Sequence, residues 1–195
     1  ELFYGLPARL LPAIPFPAEQ FSPRNHPVTG NRQLLSPRVL EWLGARKPAD
    51  AFVMAAVTRE DLYASSEFGF VFGQSSPMLG VAVYSFVRYD EAFYGEPRPT
   101  DFTATFRRRT LKVLTHELGH NFGMGHCVFF RCMMNGSSHL KEEDALPLWV
   151  CPVCLHKIYR AQGFALRARE SALGRFCRQA GLLPEAAWHE SRSQR

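Results

Sequence analysis

No apolar run in this 195-residue chain approaches the roughly 20 residues a membrane-spanning helix requires, and no basic-then-apolar segment opens it as a secretion signal would. A soluble protein with no membrane partner is expected. Internal repeats and low-complexity stretches are lacking too, which excludes solenoid and array architectures. Cysteine is scarce and odd in number, five residues in all. That is too few for a disulfide-stapled miniature fold, and the chain is long enough to bury a core without such staples. The formal charge is +5. The arginines are scattered apart from Arg107-Arg108-Arg109 and the stretch from Arg160 to Arg178, and no aromatic-interleaved basic stripe accompanies them. A solvated face is expected rather than a nucleic-acid interface. The chain opens on Glu1 rather than Met and reads as a piece of something longer.

What is present reads as an α+β chain. Leu2 to Ile14 is apolar, broken by Pro7 and Pro12, and is expected as a clipped strand; Phe16 to Arg32 is rich in proline and asparagine and reads as a loop. Ser36-Pro37 matches an N-cap followed by proline at the first helical position, opening a helix through Val39, Leu40 and Trp42 to Gly44. Asp50 to Thr58, Phe68 to Gly73 and Gly80 to Tyr89 carry β-branched and aromatic residues suited to strands. A connector, Pro97 to Thr105, leads into a helix whose Leu111, Leu114 and Leu118 recur at helical spacing. The arginine triplet in its first turn opposes the helix dipole, which an acidic partner elsewhere would answer. Periodicity then fades until about Val153, where one long basic amphipathic helix is expected toward Gly181, with a frayed tail after Pro184. The organisation expected is a single domain over 1–195: an N-terminal sublobe at 1–122, a C-terminal sublobe at 123–184 and a flexible tail at 185–195.

Chemistry concentrates in Leu114 to Cys127, LTHELGHNFGMGHC, which holds three of the seven histidines. On a helix His116 and His120 stand one turn apart, about 6 Å along the axis, with both rings on the same side. Glu117 leaves the helix roughly 100° round from His116, near enough to reach a ligand of an ion held by the pair without itself coordinating it. Gly123 can end the helix in the left-handed conformation and return His126 as a third ligand. Three neutral imidazoles leave Zn²⁺ its full charge and one open position, the arrangement that brings the pKa of a bound water to about 7. Glu117 is then expected as the general base of a peptide hydrolysis without covalent intermediate. A helical histidine pair alone is often surface decoration; five fixed positions are far more specific.

Sulfur begins where the imidazoles stop. Cys127 and Cys132 are followed after a long loop by Cys151-Pro152-Val153-Cys154, a knuckle spacing suited to structural zinc. Four thiolates would fill the tetrahedron and remove its Lewis acidity, making the second zinc a staple. The bland alternatives are buried free thiols or a disulfide. Metal-suited spacing favours a reducing, intracellular compartment, cytoplasmic or nuclear. Cys177 is expected as packed core; His26, His139 and His189 as exposed; His156 as a possible support for Cys154.

Read from His116 to Cys154, the spacing HExxHxxGxxHC, x4, CM, x17, CxxC resembles the signature of the archaemetzincins, zinc metallopeptidases related to the metzincins. The segments Phe68 to Gln74 and Cys154 to Lys157 are similar to the vertebrate branch. The resemblance implies two zinc ions: a catalytic one on His116, His120 and His126 with Glu117 as base, and a structural one on Cys127, Cys132, Cys151 and Cys154. It places the Met-turn methionine at Met133, with Met134 as neighbouring rival, and Asn135 where some metzincins carry an assisting tyrosine. It implies a metzincin-like α+β fold: an α/β upper lobe with a twisted mixed sheet and active-site helix, and a smaller zinc-stapled C-terminal lobe ending in a long helix. Phe68 to Gly73 is the candidate edge strand over the cleft, onto which a peptide or protein substrate would add. Two other functions stand beside the peptidase: a catalytically idle zinc-containing protein-interaction module, which has no need of Glu117, and a nucleic-acid binder, which the acidic Lys141-Glu142-Glu143-Asp144 disfavours. A monomer is the default.

Overall fold

The computed structural model describes residues 1–194. Its strands are β1 (Arg24–Asn25), β2 (Arg32–Leu35), β3 (Met54–Thr58), β4 (Asp61–Tyr63), β5 (Gly73–Ser76) and β6 (Val81–Ser85). Its α-helices are α1 (Ser36–Gly44), α2 (Phe102–Asn121), α3 (Leu140–Ala145), α4 (Pro152–Gln162), α5 (Leu166–Gln179) and α6 (Leu183–Ser193). The chain is therefore mixed α+β, as its patterning implies.

Two compact units result, one of residues 13–102 and 116–123, the other of residues 1–12, 103–115 and 124–195. In the first, the strands form two three-stranded mixed sheets, ordered β1-β2-β4 and β3-β6-β5, instead of one. β2 and β4 are parallel, β3 and β6 are parallel, and the outer strands β1 and β5 run antiparallel to their neighbours. Val81 to Ser85 is buried throughout, as befits a central strand rich in valine. Phe21, Leu34, Val39, Leu40, Leu43, Leu62, Val81 and Val83 form one core, so the apolar stripe of α1 is buried among residues of both sheets.

The strand expected over Phe68 to Gly73 is not formed. Only Val71 makes an isolated bridge, to Leu62, and the edge strand β5 begins at Gly73. The reason is where the carbonyls go. Arg24 Nη2 donates to the Phe68 carbonyl at 2.8 Å and Gln33 Nε2 to that of Gly69 at 2.8 Å, so side chains satisfy what a ladder would have. Below them Arg88 is buried and makes a bidentate pair with Asp61, both bonds 2.7 Å, while its guanidinium lies 3.9 Å from the Phe70 ring centre.

Leu2 to Ile14 forms no strand: proline at 7 and 12 removes ladder donors and Leu10 is fully exposed. Tyr4 is instead buried, and its hydroxyl donates to the Thr115 carbonyl at 2.5 Å. The single long C-terminal helix is two, α4 and α5, because Gly163 takes a left-handed φ of 68° and caps α4. The frayed tail is also corrected. Pro184 sits at the start of α6, where it favours initiation, and α6 packs on α5 through Cys177, Leu182 and Ala186. His189, expected exposed, is 2% exposed and its Nδ1 lies 2.7 Å from Glu170, which also accepts from Arg169 at 2.6 Å.

The arginine triplet is no solvated face either. Because α2 begins at Phe102, Arg107 to Arg109 stand past its first turn, and each has an internal acceptor. Arg107 donates to the Ala180 carbonyl, Arg108 to Glu185 at 2.7 Å, and Arg109 to both oxygens of Asp144 at 2.9 and 2.8 Å. Glu185 and Asp144 are acidic partners of the expected kind for two of the three. No helix among the described residues is long and apolar enough to cross a membrane.

Candidate functional site

α2 ends as the glycine after its motif requires. Gly123 adopts a φ of 76°, and its N–H donates to the His120 carbonyl at 2.9 Å. Over its last two turns His116 and His120 share a face, with their Nε2 atoms 3.1 Å apart. His116, His120 and His126 form a group whose donor atoms all lie within 4.8 Å of one another; the first two are half-buried and His126 is exposed. Two nitrogens at zinc-bonding distance on one tetrahedral ion stand about 3.3 Å apart. The histidine pair therefore fits a shared ion closely. Glu117 is half-buried between them in sequence, and Asn121, one turn on, donates to its carbonyl at 3.2 Å.

Cys127, Cys132, Cys151 and Cys154 form a second group within 4.8 Å, every member buried, and all are free thiols. Cys127 and Cys151 sulfurs are 3.9 Å apart, against about 3.8 Å for two thiolates on one tetrahedral zinc. The knuckle is the start of a helix: Cys151 caps α4, its sulfur accepting from the Cys154 N–H at 3.5 Å, and Pro152 occupies the first turn. Cys132 sulfur accepts from the N–H groups of Cys151 at 3.2 Å and Met134 at 3.5 Å. These donors and the helix N-terminus favour negative sulfur. Burial nevertheless pushes the Cys132 thiol up to about 11 and the Cys154 thiol higher still. At Cys127 burial acts the same way but is outweighed by backbone bonds to Phe129 and Phe130, which leave the thiol below its ordinary value. Cys132 and Cys154, two buried thiols that resist ionising alone, are ones that a dication would relieve.

Met133 and Met134 are both buried, so burial does not choose between them. Cys177 lies in the core with Leu148 and Ala186, as expected. His26 is half-buried, His139 is exposed and its Nδ1 accepts from the Glu142 N–H at 3.1 Å, and His156 is exposed on α4. Sequence reasoning passed over Asn135 except as a missing tyrosine. Its Oδ1 accepts from the Cys132 N–H at 2.8 Å, and its Nδ2 donates to the carbonyls of Cys127 and, at 2.9 Å, Phe130. The Asn-Gly pair in a cysteine-flanked loop is the signal that could have pointed to such a brace.

Fold and groups together define an α+β chain with a helix-borne histidine pair and a closed cysteine cluster, two groups that could hold metal. More particularly, the chain belongs to peptidase family M54, the archaemetzincins, whose family profile matches residues 50–160. It is 38% identical to human Archaemetzincin-2 over 196 residues, covering 89% of this chain and 54% of that protein. It is 31% identical to mouse Archaemetzincin-1 over 196 residues, covering 88% and 39%. Among solved structures it resembles a zinc-dependent peptidase from Methanocorpusculum labreanum, with TM-score 0.60, 31% identity, 73% of this chain and 80% of that one. An archaemetzincin from Methanopyrus kandleri gives TM-score 0.59 and 32% identity over 76% and 73%. The chain spans about half the length of the curated human relative it matches, 54%.

Proposed function

We propose that this chain is a zinc-dependent peptidase, with zinc held by His116, His120 and His126 and a second, structural zinc held by Cys127, Cys132, Cys151 and Cys154. The single observation that carries the reading is the histidine group: three imidazoles with donors within 4.8 Å, accessible, with an acid next to the first of them. Bound there, zinc supplies a Lewis acid that polarises the scissile carbonyl and acidifies a water. The carboxylate of Glu117 takes the proton that the attacking water gives up and hands it to the leaving amine nitrogen as the C–N bond breaks. Glu117 is thus left ionised for the next turnover. Met133 would form an apolar floor beneath the histidines, in line with its burial. The substrate is a peptide or protein, with no role for nucleic acid or membrane, and the chain acts as a monomer. The four thiols suit a reducing compartment inside the cell.

The test is cleavage of a mixed peptide library by zinc-loaded chain, alongside the Glu117→Gln variant. The expected outcome is cleavage by the wild type and a loss of about 10²- to 10⁴-fold in the variant, with zinc content unchanged. Undiminished cleavage by the variant would refute Glu117 as base. A wild type that binds zinc and cleaves nothing would favour the interaction module.

A further inference from the structure

Gly136 is a glycine that its own backbone does not demand. Gly123 and Gly163 hold left-handed φ values of 76° and 68°, whereas Gly136 is not among the positive-φ glycines. Space explains it instead. A Cβ added at Gly136 would stand 3.0 Å from Nδ1 and 3.2 Å from Cε1 of His126. Comfortable contact between such atoms needs about 3.5–4.0 Å. The glycine also has little freedom to retreat. Its neighbour Asn135 is tied to Cys127, Phe130 and Cys132, and the Cys127 N–H donates to the Met134 carbonyl at 2.8 Å. The segment is pinned to the cysteine cluster. His126 is exposed.

We propose that Gly136 is a positioning residue for His126: its bare Cα is the wall against which the third imidazole rests, and the cysteine cluster holds that wall in place through Asn135. The inference rests on reading His116, His120 and His126 as one metal group. It predicts that a methyl at this position separates folding from metal affinity. In the metal-free chain the His126 ring swings toward solvent and accommodates the methyl. With metal bound the ring must return to the space the methyl occupies, so affinity at the histidine group falls while the cysteine cluster is untouched.

Co²⁺ titration of the full chain reads the two groups separately, because thiolate-to-cobalt charge transfer in the near ultraviolet marks the cysteines and weaker visible bands mark the nitrogen-ligated site. Gly136→Ala is expected to fill the cysteine cluster at the wild-type concentration and to shift filling of the histidine group upward about tenfold, with Gly136→Val shifting it further. In a His126→Ala background, which removes the opposing ring, the same glycine substitutions are expected to change nothing. Equal histidine-group affinities in all three chains would overturn the proposal, as would an equal penalty with and without His126. If Gly136→Ala also lost the thiolate bands, recovery of those bands in the double variant would sustain the clash, and no recovery would overturn it. A wild type that shows thiolate bands alone would instead refute the histidine group as a metal site, a failure distinguishable from the other outcomes.

Discussion

The histidine and cysteine groups begin on neighbouring residues, His126 and Cys127, yet they sit in opposite environments. The four sulfurs are buried, and backbone N–H groups and the first turn of α4 point at them. The imidazoles stand at the end of α2 and beyond it, half-buried or exposed. Donor type and burial reinforce each other. Thiolates saturate a cation's charge and a dry shell keeps competitors away, so the cysteine cluster suits a staple; neutral nitrogens leave the charge unspent and exposure lets a fourth ligand arrive. Adjacency in sequence thus says little about similarity in role.

Two measurements probe the contrast between staple and open site, the larger effect first. Cys154→Ser removes a buried ligand from the staple, and melting of the zinc-loaded chain is expected to fall by about 10 °C, the size a few kcal/mol gives at this length. His120→Ala should move melting by less than a third of that, since its loss unties no buried cluster. Equal shifts, followed by circular dichroism, would erase the contrast between staple and open site. Next, a chelator is expected to strip the histidine group about tenfold faster than the cysteine cluster, measured by zinc release to a colorimetric dye. Release in a single phase would count against the difference in access.

The smallest effect belongs to neither group. Lys112 on α2 is buried and donates to the Leu146 carbonyl at 3.2 Å. Burial, only partly offset by Glu143, lowers its pKa from 10.5 to about 8. Between those values the unfolded chain holds the proton that the folded chain has released, so stability climbs with pH across the window. Urea midpoints measured at pH 8 and pH 10 are expected to rise in the wild type and to rise less in Lys112→Met. Identical slopes would show that Lys112 is not the group responsible.

Much of the candidate site was legible in the residues, because the spacing of side chains on a helix is a local property. His116 and His120 meet wherever the helix forms, and Gly123 ends it for reasons carried by its own backbone. Helix α1 was also legible from Ser36-Pro37, although Leu35 and not Ser36 is its N-cap and no side chain caps it. Phe68 to Gly73 misled because a strand-like composition says nothing of distant competitors, here Arg24 and Gln33, for its carbonyls. The tail misled in the same way. Its polar residues include a histidine that Glu170 receives in the core.

The order of residues alone settled the helical spacing of the first two histidines and the reversal after them, since each depends on contacts within a few residues. The folded chain was needed to decide which arginines became internal struts, what braces the loop from Cys127 to Gly136, and how little room His126 leaves beside Gly136. Those outcomes depend on groups far apart along the chain competing for the same space and the same hydrogen bonds, and that competition is settled only when the chain is folded.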